Sequence, residues 1–107
     1  MSIGVTEKTF SAEVVNFQGV VLVDFFAEWC APCKALGPVL EELSTVYAGK
    51  CKVCKVNIDD VPDLAGQYGV MSVPTVIFFK AGKKVDQFIG ALPRMQIEKY
   101  INKHILG

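Results

Sequence analysis

The residues Val20-Val21-Leu22-Val23-Asp24-Phe25-Phe26-Ala27, running without a break into Glu28-Trp29-Cys30-Ala31-Pro32-Cys33-Lys34, decide how the chain is read. Eight residues with a single polar member and no alternation describe a strand covered on both faces, as in a parallel or mixed sheet flanked by helices. Two cysteines two residues apart follow at the carboxyl end of that strand. The pattern beyond them is helical: Leu36, Val39, Leu40, Leu43, Val46 and Tyr47 recur at three- and four-residue spacing from Cys33 to Ala48, with Gly49 as a terminator. Pro38 falls inside this helix, and because the pattern resumes beyond it, it is expected to bend the axis rather than end it.

Cysteines at i and i+3 in a first helical turn have Cα atoms roughly 5 Å apart, inside the span of a disulfide. Cys30 would sit where unpaired amides and the helix dipole favour an anion, which makes it the better nucleophile. Cys33, one turn deeper, suits the second step, attack on a mixed disulfide formed at Cys30. Pro32 stiffens the loop between them. Asp24 is a carboxylate in an apolar strand, where burial should raise its pKa and make it a proton acceptor and donor for Cys33, or else a hydrogen-bonded structural group. Lys55 in a neighbouring strand could meet Asp24 and moderate that shift; a solvated lysine is the alternative. Trp29 is read as a flat client-facing surface, or as a partly buried packing residue.

Outward from this centre, Ile3 to Val5 form a short strand, and Phe10, Val14 and Val15 give a short amphipathic helix ending near Asn16. Lys52 to Ile58 reads as an inner strand, with Cys54, Val56 and Ile58 on one face and Val53, Lys55 and Asn57 on the other. Asp59 and Asp60 can cap a helix over residues 62 to 68, closed by Gly69. Strands over residues 75 to 80 and 84 to 89 are joined tightly at Ala81-Gly82-Lys83 as a hairpin. Pro93 suits the first position of a last helix whose apolar stripe is Met95, Ile97, Tyr100, Ile101 and Ile105. The order predicts one α/β domain over residues 1 to 107, a mixed sheet with helices on both faces and Cys30 accessible at a central strand's carboxyl end.

The 107 residues suffice for one domain, and 51% of them are apolar, enough for a core without staples. Eleven basic and eleven acidic side chains leave no net field to draw in nucleic acid or an anionic membrane. No apolar run approaches the ~18 residues of a membrane span, and the amino-terminal residues lack the features of a secretory signal, so a soluble, cytoplasmic protein is expected, and we read it as a monomer. In a reducing cytosol four cysteines indicate redox chemistry or metal. Cys30-x2-Cys33-x17-Cys51-x2-Cys54 falls inside a zinc-site pattern. Against zinc stands a helix of about 15 residues, some 22 Å long, between the two pairs, when all four sulfurs must lie about 2.3 Å from one metal. No metal is expected. His104, the sole histidine, reads as a solvated helix-end residue rather than the partner of a hydrolytic cysteine.

Taken together, Val23-Asp24-Phe25, Ala27-Glu28-Trp29-Cys30, Pro32-Cys33-Lys34, Pro38, Lys55-Val56-Asn57-Ile58-Asp59, Val73-Pro74-Thr75 and Phe88-Ile89-Gly90-Ala91 resemble the thioredoxin family over nearly the full length. The resemblance implies the thioredoxin fold, a central five-stranded mixed sheet flanked by four helices. It also implies a protein-disulfide reductase, without a bound cofactor, recharged from NADPH by a flavin-containing thioredoxin reductase. Cys30 takes the attacking role, Cys33 the resolving role, and Asp24 with Lys55 the buried proton-transfer pair. Val73-Pro74 matches the family's cis peptide, whose main chain pairs with clients, and Trp29, Ala31, Pro32, Gly90 and Ala91 line the same groove. Ala31 stands where the family usually has glycine, and Phe26 where a second tryptophan is common. The alternative from another class is a binding module using this surface without redox turnover.

Overall fold

The computed structural model describes residues 1–107. Strand β1 (Ile3–Gly4) leads into α1 (Glu7–Phe10), which widens into a π-helical turn over Ser11–Val15. Then follow β2 (Val20–Phe26), α2 (Ala31–Val46), β3 (Cys51–Asn57), α3 (Pro62–Gln67), β4 (Thr75–Lys80), β5 (Lys83–Ile89) and α4 (Arg94–Leu106). The five strands form one mixed sheet in the order β1-β3-β2-β4-β5. β3 pairs parallel to β1 and β2, and β4 runs antiparallel to β2 and β5. This is the thioredoxin fold the sequence led us to expect.

Strand alternation divides the core into two layers. Val21, Val23 and Phe25 of β2 point with Cys54, Val56, Ile77 and Phe79 toward α1 and α3, where Phe10, Val14, Leu64 and Ala65 meet them. Val20 and Leu22 point with Val53, Val76 and Phe78 to the opposite face, covered by Leu36, Leu40 and Leu43 of α2 and Ile97 and Ile101 of α4. Each such fully buried aliphatic side chain contributes about 1.5–3 kcal/mol. With strands on both sides and helices on both faces, β2 is the most enclosed element, which is why its sequence is apolar throughout.

Several local expectations need correction. The first helix starts earlier than the apolar spacing indicated, and Asn16 N–H bonds to Ser11 C=O, an i→i+5 bond. That wider turn rotates Val15 to the surface while Phe10 and Val14 stay buried. α2 begins at Ala31 rather than Cys33 and runs uninterrupted through Pro38. Val46 lies outside its buried stripe. α3 is preceded at its N-cap by Val61, not by either aspartate. Pro93 is the N-cap of α4 rather than its first residue, and Met95 is exposed.

The β4–β5 connection uses only Ala81 and Gly82, at φ 52° and 80°, so Lys83 belongs to the strand. Two left-handed central residues match the twist of a tight hairpin. A Cβ on Gly82 would lie 2.3 Å from the Val15 carbonyl oxygen, so the turn also seats against the end of the π-helical segment. Beyond it the register shifts: Phe78 faces Asp86 and Phe79 faces Lys84, leaving Val85 unpaired as a bulge.

Candidate active site

The site lies where β2 ends and α2 begins. Cys30 is the N-cap of α2, with Ala31 and Pro32 as its first residues. The extended backbone of Cys30 (φ −91°, ψ 112°) turns its side chain back over the helix start, and its Sγ accepts the Cys33 N–H at 3.2 Å. A helix N-terminus presents unpaired N–H groups, so a sulfur in this position is held by an amide and by the positive end of the dipole. Cys30 and Cys33 are joined as a disulfide, with Cα atoms 5.2 Å apart. That separation agrees with the spacing expected of residues one helical turn apart.

Both cysteines are only 5% exposed, so depth does not distinguish them as the sequence reading supposed. Their surroundings do. They pack with Ala27, and Phe26, Ile58 and Val73 close around them. The Cys30 sulfur lies 3.6 Å from the Val73 carbonyl oxygen. The Val73-Pro74 peptide is cis, and Pro74 is buried. The Pro74 carbonyl accepts the Gly90 N–H at 2.9 Å, which brings Gly90 and exposed Ala91 to the same rim. Gly90 holds φ 92°, a conformation that glycine adopts without a Cβ penalty. Ala31 and Pro32 are also exposed, and Trp29 is 69% exposed. Of the residues assigned to a client groove, Val73 packs against the disulfide, Pro74 and Gly90 are joined by a main-chain hydrogen bond, and Trp29, Ala31 and Pro32 flank Cys30 in the chain.

Asp24 is fully buried on the α2 face of β2, six residues before Cys30 in the chain. Neither of its carboxylate oxygens has a hydrogen-bond partner. Burial pushes its pKa from 3.8 up to about 6, and the positive charge of Lys55 partly opposes the rise. Lys55 is directly across from Asp24 in the β2–β3 register, yet its Nζ rests 4.6 Å from the centroid of the Phe26 ring and makes no ion pair. A cleft of about 450 Å³ opens beside them, lined by Phe26, Cys33, Lys34, Glu41 and Lys55 among others. Glu41, on its far wall, is held below the usual carboxylate range by hydrogen bonds from Ser2.

Sequence reasoning missed two participants. Asp59, read as a helix cap, instead accepts the Trp29 indole N–H on Oδ2 at 3.0 Å and so restrains the ring. Phe26, read as packing, carries the Lys55 ammonium. Neither contact has a pattern in one dimension, because each joins residues 29 or 30 positions apart.

The other two cysteines are not part of this site. Cys51 faces the α2/α4 layer and Cys54 the α1/α3 layer, so their sulfurs point away from each other. Burial pushes the Cys51 thiol up to about 12 and the Cys54 thiol up to about 11. His104 sits far along α4, its Nε2 3.0 Å from the Asp86 carboxylate. No helix is long and apolar enough to cross a membrane.

Comparison with known proteins gives a consistent result. The family model described as Thioredoxin matches residues 2–103. Thioredoxin 2 of Chlorobaculum tepidum is 51% identical across 94% of this chain and 92% of its own length. Thioredoxin of Chlorobaculum thiosulfatiphilum is 50% identical over 94% and 93%. Thioredoxin 1 of Nostoc sp. is 46% identical over 94% of both chains.

Proposed function

This chain belongs to the thioredoxin family of thiol-disulfide oxidoreductases, and on that premise we propose how its own residues divide the reaction. The disulfide between Cys30 and Cys33 at the start of α2 carries the reading. In the dithiol form, Cys30 is the thiolate, stabilised by the Cys33 amide and the helix terminus. It attacks one sulfur of a client disulfide, forms a mixed disulfide and expels the other client sulfur as a thiolate. Cys33 then gives its proton to Asp24 and attacks the Cys30 sulfur. That step closes the Cys30–Cys33 bond and releases the second client sulfur as a thiolate. Two electrons pass to the client, and protons end on its thiols.

Asp24 suits this role because a carboxyl with a midpoint near 6 is present in both protonation states around neutral pH. Lys55 modulates it. Exposed Trp29, Ala31, Pro32 and Ala91 and half-buried Val73 and Gly90, with Pro74 buried beneath them, support a surface for extended client segments whose main chain would pair with the Val73 C=O. We assign return of the dithiol state to a flavin-containing thioredoxin reductase drawing on NADPH. The protein itself binds no cofactor in this reading, acts as a monomer of one domain and works in the cytoplasm.

Replacing Cys33 by Ser should leave Cys30 able to attack but unable to release, so mixed disulfides with clients accumulate and disappear in a Cys30→Ser/Cys33→Ser double variant. Trapping that persists without Cys30 would reverse the assigned roles. Dithiothreitol-driven reduction of insulin, accelerated by the native protein and not by Cys30→Ser or Cys33→Ser, separates a reductase from a binding module.

A further inference from the structure

Phe26 has a feature that its apolar character does not announce. It lies two residues beyond Asp24 on β2, so alternation puts both side chains on the α2 face, where Lys55 of β3 also projects from its position across from Asp24. One ammonium is therefore flanked by an aromatic face and a buried carboxyl. The structure shows the choice: Nζ stands 4.6 Å from the Phe26 centroid, while both Asp24 oxygens remain without a partner. The physical reason is hydration. The ring borders the open cleft, where an ammonium keeps part of its water while gaining the attraction of the π face. Moving onto fully buried Asp24 would strip that water away.

We propose that Phe26 is a positioning residue, whose ring holds the Lys55 ammonium back from Asp24 and thereby sets how readily that carboxyl releases its proton. This rests on the proton-transfer role proposed for Asp24. The other charged or titratable groups around the cleft are Cys33, Lys34 and Glu41 of α2 and Glu28 of the preceding loop, while β4 contributes apolar Val76 across from Asp24. Only Lys55 is both cationic and in register with Asp24.

The test follows the Asp24 carboxyl carbon by NMR during a pH titration, independent of turnover. In Phe26→Leu, Lys55 is released toward Asp24 and the carboxyl's proton affinity falls about two- to fivefold, the worth of an exposed cation–π contact. Phe26→Trp, which keeps an aromatic face, retains the native midpoint. In a Lys55→Met background, Phe26→Leu moves the midpoint by less than in the native background. The proposal is overturned if Phe26→Leu leaves the midpoint unchanged or shifts it equally in both backgrounds. The native protein offers a check that needs no variant: the Lys55 ε-methylene protons must be shifted upfield by the ring, and random-coil values there also overturn it. Failure of the Asp24 role itself shows elsewhere, as an unchanged resolution rate in Asp24→Asn.

Discussion

Replacing Asp24 by Asn should stabilise the protein in a way that depends steeply on pH. Asp24 is fully buried with both oxygens unpaired, and its midpoint moves from 3.8 to about 6 in the folded chain. Between those two values the unfolded chain has released its proton and the folded chain still holds it, so stability falls as pH rises through that window. At 1.36 kcal/mol per pH unit, the ionised carboxylate costs the folded state about 3 kcal/mol by the time pH exceeds 7. Well below pH 3.8 the cost is absent, because both states are protonated. An asparagine carries no charge at any pH, and its buried amide contributes a difference that does not vary with pH. The stability of Asp24→Asn minus that of the native protein should therefore grow by about 2.5 kcal/mol between pH 4 and pH 8. For a domain of this size that corresponds to roughly 10–20 °C in Tm. Urea unfolding of both oxidised proteins at each pH measures it. A difference that stays constant from pH 4 to pH 8 would refute the reasoning, since it would mean that Asp24 ionises as easily folded as unfolded.

Three other perturbations follow from the packing. Iodoacetamide at pH 8 should alkylate Cys30 of the reduced native protein and spare Cys51 and Cys54, whose thiols are buried and held protonated, until denaturant is added; peptide mapping reads the order. Gly82→Ala should cost at least about 2 kcal/mol, because the new methyl would meet the Val15 carbonyl in a turn that already requires positive φ, and chemical denaturation checks it. Asp59→Ala should free the Trp29 indole, adding a fast component to its fluorescence anisotropy decay while changing stability by less than about 0.5 kcal/mol, because both groups are exposed. An unchanged decay would show that the hydrogen bond does not hold the ring.

The elements that bury apolar stripes were legible in the sequence because burial imposes a period. β2 has no polar alternation because helices cover both its faces, and Leu36, Leu40 and Leu43 recur because α2 covers one of them. Ends and widenings were not legible. The π-helical turn at Ser11–Val15 carries the same composition as an ordinary helix, and only the i→i+5 bond to Asn16 reveals why Val15 faces outward. The helix start at Ala31 likewise depends on the backbone angles of Cys30, which composition does not encode. In the site, the cysteine pair and the anomalous Asp24 stood out locally. The cis Val73-Pro74 bond followed from family resemblance alone, since an X-Pro pair reads the same in either isomer. The partners of Trp29 and Lys55 needed three dimensions, because the register of β2 on β3 brings them together.

The bulge at Val85 bears on how the molecule meets its own copies. β5 is one rim of the sheet, and it opens with Lys83 and Lys84 before the bulge interrupts its ladder. The other rim, β1, is two residues long. A flat, uncharged edge strand is a template on which another chain can add itself, and charge, a bulge and brevity each spoil that template. A thiol-disulfide oxidoreductase meets its disulfide-containing substrates by diffusion, one after another, so adhesion between copies would withdraw it from circulation. The two poor rims leave the face around Cys30 as the place where contact has a consequence.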